Sequence, residues 1–277
     1  MMAWRNRNKP MTLAITLVML VLMLFPFAIM ITTMLRDGTE IYIRPPQWFP
    51  DRPTVANLVN VWSEYNLFTY FESSMIVAVG TTILNMLLAI PAAYAVARLR
   101  FPGRSFALYL FLAIQMFSPV IIVISLFRIF ARSGLIDSYL SLILANTVFT
   151  MSFTVWMMTG YFRSIPIEIE EAARIDGCSR VQTITRIMLP VAAPGLVTAM
   201  IYAFIWAWNE FLFALSFIKA AEKMPLTLGI YRFVGRWSTQ WEMLTAAAFL
   251  ALIPVVVLFY IIERRLVQGL AGGAVKG

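Results

Sequence analysis

Apolar residues in this chain come in long blocks rather than at the spacing of a soluble helix face or the alternation of a half-buried strand. Six blocks, about Met11 to Thr33, Ser73 to Ala97, Phe106 to Phe127, Ser138 to Tyr161, Ala193 to Phe217 and Met243 to Ile262, are long enough to cross a bilayer as helices. Pro119, inside the third, predicts a kink that neighbouring helices must tolerate. Ala89, Ala92, Ala93, Ala95 and Ala97 give the second block the small surfaces that let membrane helices approach closely. The first block follows Arg5, Arg7 and Lys9, a flank that signal peptides share. It is longer than a signal's apolar region and no small-residue cleavage site follows, so it reads as an uncleaved span. The expected fold is all-α, a polytopic membrane protein with six transmembrane helices.

The polar stretches between the blocks set the orientation. Arg36 to Glu72 holds five acids, three arginines, Pro45, Pro46, Pro50 and Pro53, and the aromatics Trp48, Phe49, Trp62 and Tyr65, which predicts an interfacial segment with short helices. Six spans put both termini on one side. The amino tail, the link 98–105, the loop 163–190 and the carboxyl tail share thirteen of the 22 basic residues, against nine in the opposite segments. Those opposite segments carry eight of the 14 acids. Basic density in the short links places them, and both termini, in the cytoplasm by the positive-inside rule.

The stretch Glu171 to Pro190 is the polar exception between two apolar blocks. Pro166, Glu168, Glu170 and Glu171 crowd one end, where a missing N–H does little harm and carboxylates meet the positive end of a helix dipole. Ile169 and Ile175 flank Ala172 and Ala173, and Glu170 stands four residues before Arg174, within pairing reach. Gly177 can take a positive φ and end that helix. Ser179 and Gln182 have capping-box spacing, and Val181, Ile184 and Ile187 give a second helix an apolar stripe before Pro190 and Pro194 break it. The result is a helix–turn–helix. A loop that merely lay on the bilayer would want a strongly basic polar face, and three leading acids argue against that.

E-A-A, three residues, G, nine residues, I-x-L-P resembles the cytoplasmic-loop signature of ATP-binding-cassette importer permeases, matched here by Glu171, Ala172, Ala173, Gly177, Ile187, Leu189 and Pro190. The EEAARIDG version, which adds Asp176, resembles the carbohydrate-uptake subfamily and its maltose-type second permease. AAYAVARLRFPG at the end of the second block and the GAVKG ending are similar to that subfamily too. The resemblance implies that the loop is a coupling helix docking on an ATP-hydrolysing subunit. It also implies a second permease subunit, two ATP-binding subunits, an external solute-binding protein, and a carboxyl tail reaching toward the ATPases. The chain then divides into an amino tail, first span and external segment (1–70), a permease core (71–263) containing the loop 163–190, and a cytoplasmic tail (264–277).

Composition narrows the chemistry. The 277 residues are 61% hydrophobic and 13% charged, with a mean hydropathy of +0.79, where a soluble domain carries about 25% charge. The formal charge of +8 comes without a basic run interleaved with stacking aromatics, so nucleic acid is not expected as a partner, whereas membrane lipid is. One cysteine, Cys178, leaves no internal disulfide, and the lack of histidine removes the usual metal ligand and proton shuttle. No phosphate cradle, hydrolase elbow or zinc spacing occurs, so no catalytic residues, no metal and no cofactor bound by this chain are expected. ATP and magnesium would be handled by partner subunits.

One carboxylate lies well inside an apolar block, Glu210 in Trp206-Ala207-Trp208-Asn209-Glu210. A buried charge is costly in lipid and marks a functional candidate. Trp206, Trp208, Asn209 and Glu210 offer the aromatic faces and hydrogen-bonding groups that sugars require, and W-N-E-F resembles a recurrent sugar-permease sequence. Glu210 falls toward the outer surface, where it can cap a helix or pair with Arg232 or Arg236, and a cavity or gate role is preferred over substrate contact. Asn85, Gln115, Ser118, Asn146 and Thr150 read first as interhelical hydrogen-bonding groups. Trp237 and Trp241 read as interfacial anchors, with contact to a binding protein as the lesser reading.

The function expected is the permease subunit of an ATP-driven importer of a di- or oligosaccharide in the plasma membrane of a prokaryote. The alternatives are an ion-coupled secondary transporter and a glycerol phosphate importer of the same family.

Overall fold

A computed structural model describes residues 9–45 and 47–273, with side chains for 11–45 and 47–261. Arg5, Arg7, Pro46, the Arg264 and Arg265 side chains and the end of the GAVKG tail therefore lie outside the described residues. Among the described residues the chain is helical, its only pairing of extended backbone being the isolated antiparallel bridge Val234–Thr239.

Four helices are long and apolar enough to span a membrane: α1 (Lys9–Met34), α3 (Leu67–Arg98), α6 (Tyr139–Ser164) and α12 (Trp241–Gly273). Two bent pairs bring the total to six if each is one span: α4 (Arg104–Ile114) with α5 (Pro119–Arg132), bent by 97°, and α8 (Arg180–Val191) with α9 (Ala193–Asn209), bent by 88°. Helix α2 (Ala56–Ser63) is short, as are α7 (Ile167–Ile175), α10 (Leu212–Phe217) and α11 (Leu226–Tyr231).

The third span departs from the expected single kinked helix. Ser118 is extended and Pro119 starts a new helix, because the ring drives the preceding residue out of helical geometry and fits the first turn of the next helix. Gln115 and Ser118 fall in the exposed break. The fifth span departs as well. Helix α9 stops at Asn209, Glu210 is extended, and α10 starts two residues later, although no glycine or proline marks the break.

Contacts divide the chain into two compact units. The first comprises residues 1–67 and 230–253. Its α1 is exposed along most of its length, which fits a helix whose neighbours are lipid or another chain. After α1, the Asn57 side chain donates to the carbonyls of Met34 at 2.8 Å and Arg36 at 2.7 Å, and Arg36 donates to the Gln47 carbonyl. Tyr65 meets Phe233 edge-on at 5.0 Å. Trp237 is exposed beneath the Arg236 guanidinium at 5.5 Å.

The second unit comprises residues 68–229 and 254–277. Two apolar clusters lie at its ends. Val77, Phe130, Leu142, Phe149, Phe213 and Phe217 fill one, and Tyr94, Met158, Phe162, Met188 and Ala199 fill the other. Between them runs a buried polar belt in which Asn85 donates to Thr150 at 2.6 Å, joining α3 to α6 as the sequence led one to expect. Small residues allow the close packing: Ala89, Ala93 and Ala97 are buried on α3, and Ala199, Ala203 and Ala207 on α9.

Asp137 locks the first end. Its φ of 62° is left-handed, which an aspartate tolerates. The backbone N–H groups of Lys219 and Ala220 donate to its Oδ1 at 2.9 and 3.0 Å, and Lys223 donates to its carbonyl at 2.8 Å. These backbone donors hold the Asp137 carboxyl below its ordinary pKa.

Candidate functional site

The loop 163–190 forms the expected helix–turn–helix. Helix α7 starts after Pro166 with acids in its first turn. It ends in a Schellman motif: the Gly177 N–H donates to the Arg174 carbonyl and the Cys178 N–H to the Ala173 carbonyl, both at 3.0 Å, with Gly177 at φ +83°. Ser179 and Gln182 then close a capping box. These local devices act over three to five residues, so the sequence displayed them.

Two details go beyond what the sequence displayed, and one departs from it. Ala172 and Ala173 do not share a face: Ala173 is buried inside this chain at 5% exposure, and Ala172 is exposed. The second helix breaks after Val191, between Pro190 and Pro194 as expected, but residues Thr183–Met188 widen into a π-helical turn ahead of Pro190. That shift of register relieves the α-helical bonding pattern that a proline cannot complete. The turn also redistributes the stripe, burying Thr183 and Met188 while Val181 is 70% exposed and Ile184 and Ile187 are half-buried.

The outward side of the loop carries Glu171, Ala172, Ile175, Asp176, Gly177, Val181 and Pro190, and Ile175 is 86% exposed. Leu189 turns the other way, into a groove of about 580 Å³ formed by α3, α8 and α9. An exposed isoleucine and valine beside a bare glycine turn, rimmed by charges, have the character of an interaction site.

The loop's inner side holds a group that the sequence showed only in part. Glu170 is buried, and its Oε1 accepts from Arg174 at 2.7 Å, the expected four-residue pair, and from the Tyr94 hydroxyl at 2.5 Å. Arg98 Nε lies 3.1 Å from Oε2, an ion pair without hydrogen-bond alignment. Arg98 also donates to the Ile165 carbonyl at 2.6 Å. Tyr94 and Arg98 stand more than seventy residues away in sequence, and no local spacing announces them.

The second candidate site surrounds Glu210. Its two carboxylate oxygens accept from the N–H groups of Phe213 at 2.7 Å and Ala214 at 3.1 Å, so it caps α10. Thr227 donates to its carbonyl at 2.8 Å. Trp206, Asn209 and Glu210 line a cavity of about 640 Å³ with Tyr202, Phe211 and Pro119. Trp208 points elsewhere, buried edge-on to Phe71 at 5.5 Å and stacked on Phe204 at 5.7 Å. One residue along a helix turns the side chain by about 100°, so Trp206 and Trp208 cannot share a face. Tyr202, one turn before Trp206, was not singled out by sequence. With Phe153 at 4.4 Å, Phe149 stacked on Trp206 at 6.4 Å, and Trp156 beyond Phe153 at 5.9 Å, it completes a column of rings across α6 and α9.

Apolar spans, a buried polar belt, an interaction-ready polar loop and an aromatic-walled cavity define a membrane transport subunit rather than an enzyme. The sequence profile described as "binding-protein-dependent transport system inner membrane component" matches residues 85–272, and the chain belongs to that family. It is 36% identical over 270 residues to the sulfoquinovosyl glycerol transport system permease protein of Agrobacterium fabrum, covering 98% of this chain and 95% of that one. It is 32% identical over 264 residues to the trehalose/maltose transport system permease protein of Thermococcus litoralis, covering 94% of each. The fold matches a chain in the crystal structure of a bacterial ABC transporter involved in the import of the acidic polysaccharide alginate, with a TM-score of 0.79, 20% identity, and 94% and 98% of the two chains covered.

Proposed function

We propose that this chain is one permease subunit of an ATP-driven importer for a di- or oligosaccharide delivered by an external binding protein, with residues 71–263 as its transport core. The observation that carries the reading is the outward side of the loop, where Ile175 and Val181 stand exposed beside a positive-φ glycine around which an added Cβ would meet no atom of this chain. Such a surface fits a groove on another subunit. The chain has no phosphate cradle, so ATP and its magnesium belong to two partner ATPases, and the loop and both termini face the cytoplasm with them. Closure of the ATPases around nucleotide shifts the spans from inward-open to outward-open, driven by the two states' different affinity for nucleotide. A second permease subunit completes the path.

Sugar as cargo is supported by the names of the relatives and by the ring column ending at the Trp206 cavity, because pyranose faces stack on aromatics and their hydroxyls bond to groups such as Asn209. The cavity's size lies in the range of small-molecule sites. None of its lining residues is cationic, which argues against glycerol phosphate. Glu210 serves as a helix cap, which argues against a proton-coupled carrier, since its carboxylate is engaged by backbone donors.

The test is uptake by the reconstituted transporter with its ATPases, second permease and receptor. Uptake should require ATP and stop with vanadate, while Glu210→Gln should retain uptake that a protonophore leaves untouched. Vanadate-resistant uptake that collapses with Glu210→Gln would establish ion coupling instead.

A further inference from the structure

Glu170 is unlike the acids beside it. Glu168 and Glu171 are exposed, whereas Glu170 is 2% exposed. A carboxylate withdrawn from water is tolerated only if its oxygens find donors and countercharge. Arg174 supplies part of this from the same helix, but its side chain is half exposed and the pair is a four-residue helix pair of small worth. The enclosed partners are Tyr94 and Arg98, four residues apart on the last turns of α3, with the Arg98 side chain 10% exposed. Arg98 also grips the carbonyl of Ile165, the residue that ends α6. One carboxylate thus joins α7 to the end of α3, and the same arginine joins both to the end of α6.

We infer that Glu170 is a positioning residue: through Tyr94 and Arg98 it makes α7 and the last turn of α3 move as one body, so that a displacement imposed on α7 enters the membrane along α3. The inference rests on the reading of α7 as the coupling helix. Exposed residues of α7 such as Ile175 can meet a partner directly, whereas Glu170 faces inward and transmits. Without it α7 keeps its own caps and helical bonds, yet the ion pair that ties it to Arg98 of α3 is gone. Neutralisation therefore leaves a loop that a partner can still hold but that no longer pulls the bundle.

Two measurements on the assembled transporter test this. The first is sugar taken up per ATP hydrolysed in the same vesicles. Glu170→Gln, which keeps the side chain's shape, should lower that ratio by about 2- to 30-fold while the ATPases remain bound. Tyr94→Phe, which keeps the ring against Phe162 and removes one hydrogen bond, should lower it less; it stands in if Glu170→Gln does not assemble. The second is the distance between spin labels at Ile167 on α7 and Leu88 on the exposed side of α3, with Cys178→Ser removing the native thiol. The wild type should give one narrow distance in both nucleotide-free and nucleotide-trapped states, and Glu170→Gln, or Tyr94→Phe in its place, a broad or split one. Unchanged uptake per ATP, or a distance as narrow in the variant as in the wild type, overturns the inference. If the wild type shows no ATP-driven uptake, the proposed function fails instead, and the label distances still decide whether Glu170 holds the two helices together.

Discussion

Substitution at Gly177 separates a backbone requirement from a docking requirement, because the structure lets the two be estimated independently. Gly177 has φ +83°, and a Cβ built there would meet nothing within 4 Å. Inside this chain the cost of Gly177→Ala is therefore conformational alone, about 1–2 kcal/mol for an L residue held left-handed. Against a typical stability of roughly 5–15 kcal/mol, that leaves about 99% or more of the protein folded. Asparagine and aspartate visit this region more readily, so strain ranks alanine as the worst of the three. Docking ranks them differently. If a partner fills the open space, any side chain collides with it, and aspartate adds a buried unpaired charge worth about 2 kcal/mol or more, roughly a 30-fold loss. The assay is ATP-driven uptake with membrane level and ATPase co-purification measured in parallel. All three variants should reach the membrane at near wild-type level, with Gly177→Asp nearly inactive. Uptake by Gly177→Asp within about twofold of wild type, or losses that follow strain with alanine worst, would refute the docking role.

Two further outcomes follow from the cavity and from Asp137. Trp206→Ala should raise the sugar concentration needed for half-maximal uptake without changing protein level, whereas Trp208→Ala, emptying a buried aromatic site, should cost about 3–5 kcal/mol and appear as a lower melting temperature; the reverse pattern would remove Trp206 from the path. Backbone donors from Ala220 and Lys219 hold the folded Asp137 pKa below its ordinary value of 3.8. Its stabilisation is therefore complete above that value and disappears as pH falls through the lower folded one. Asp137→Asn, which tolerates the same backbone, should lower the melting temperature at neutral pH and converge with wild type in strong acid; a gap that persists there would exclude the charge as the cause.

What the sequence revealed was local. Pro166, Gly177 and the Ser179–Gln182 box declared the loop's ends because each works on neighbours three or four residues away, and the apolar blocks declared the spans by length. What it hid was tertiary. The break at Glu210 carries no glycine or proline and is built from a carboxylate folding onto Phe213 and Ala214 with help from Thr227. Pro119 signalled a disturbance, but its 97° size depends on Ser118 leaving the helix altogether. The twin alanines and the two tryptophans looked equivalent on paper and were separated only by the direction each side chain takes from its helix.

The grip of Glu170 on Arg98 makes the polar elbow a poor candidate for grafting. A chimaera that exchanges only residues 163–190 with another permease would carry the acid with Arg174 and leave its enclosed partners, Tyr94 and Arg98, to chance in a place water does not reach. Swaps should travel with the last two turns of α3, which hold Tyr94 and Arg98.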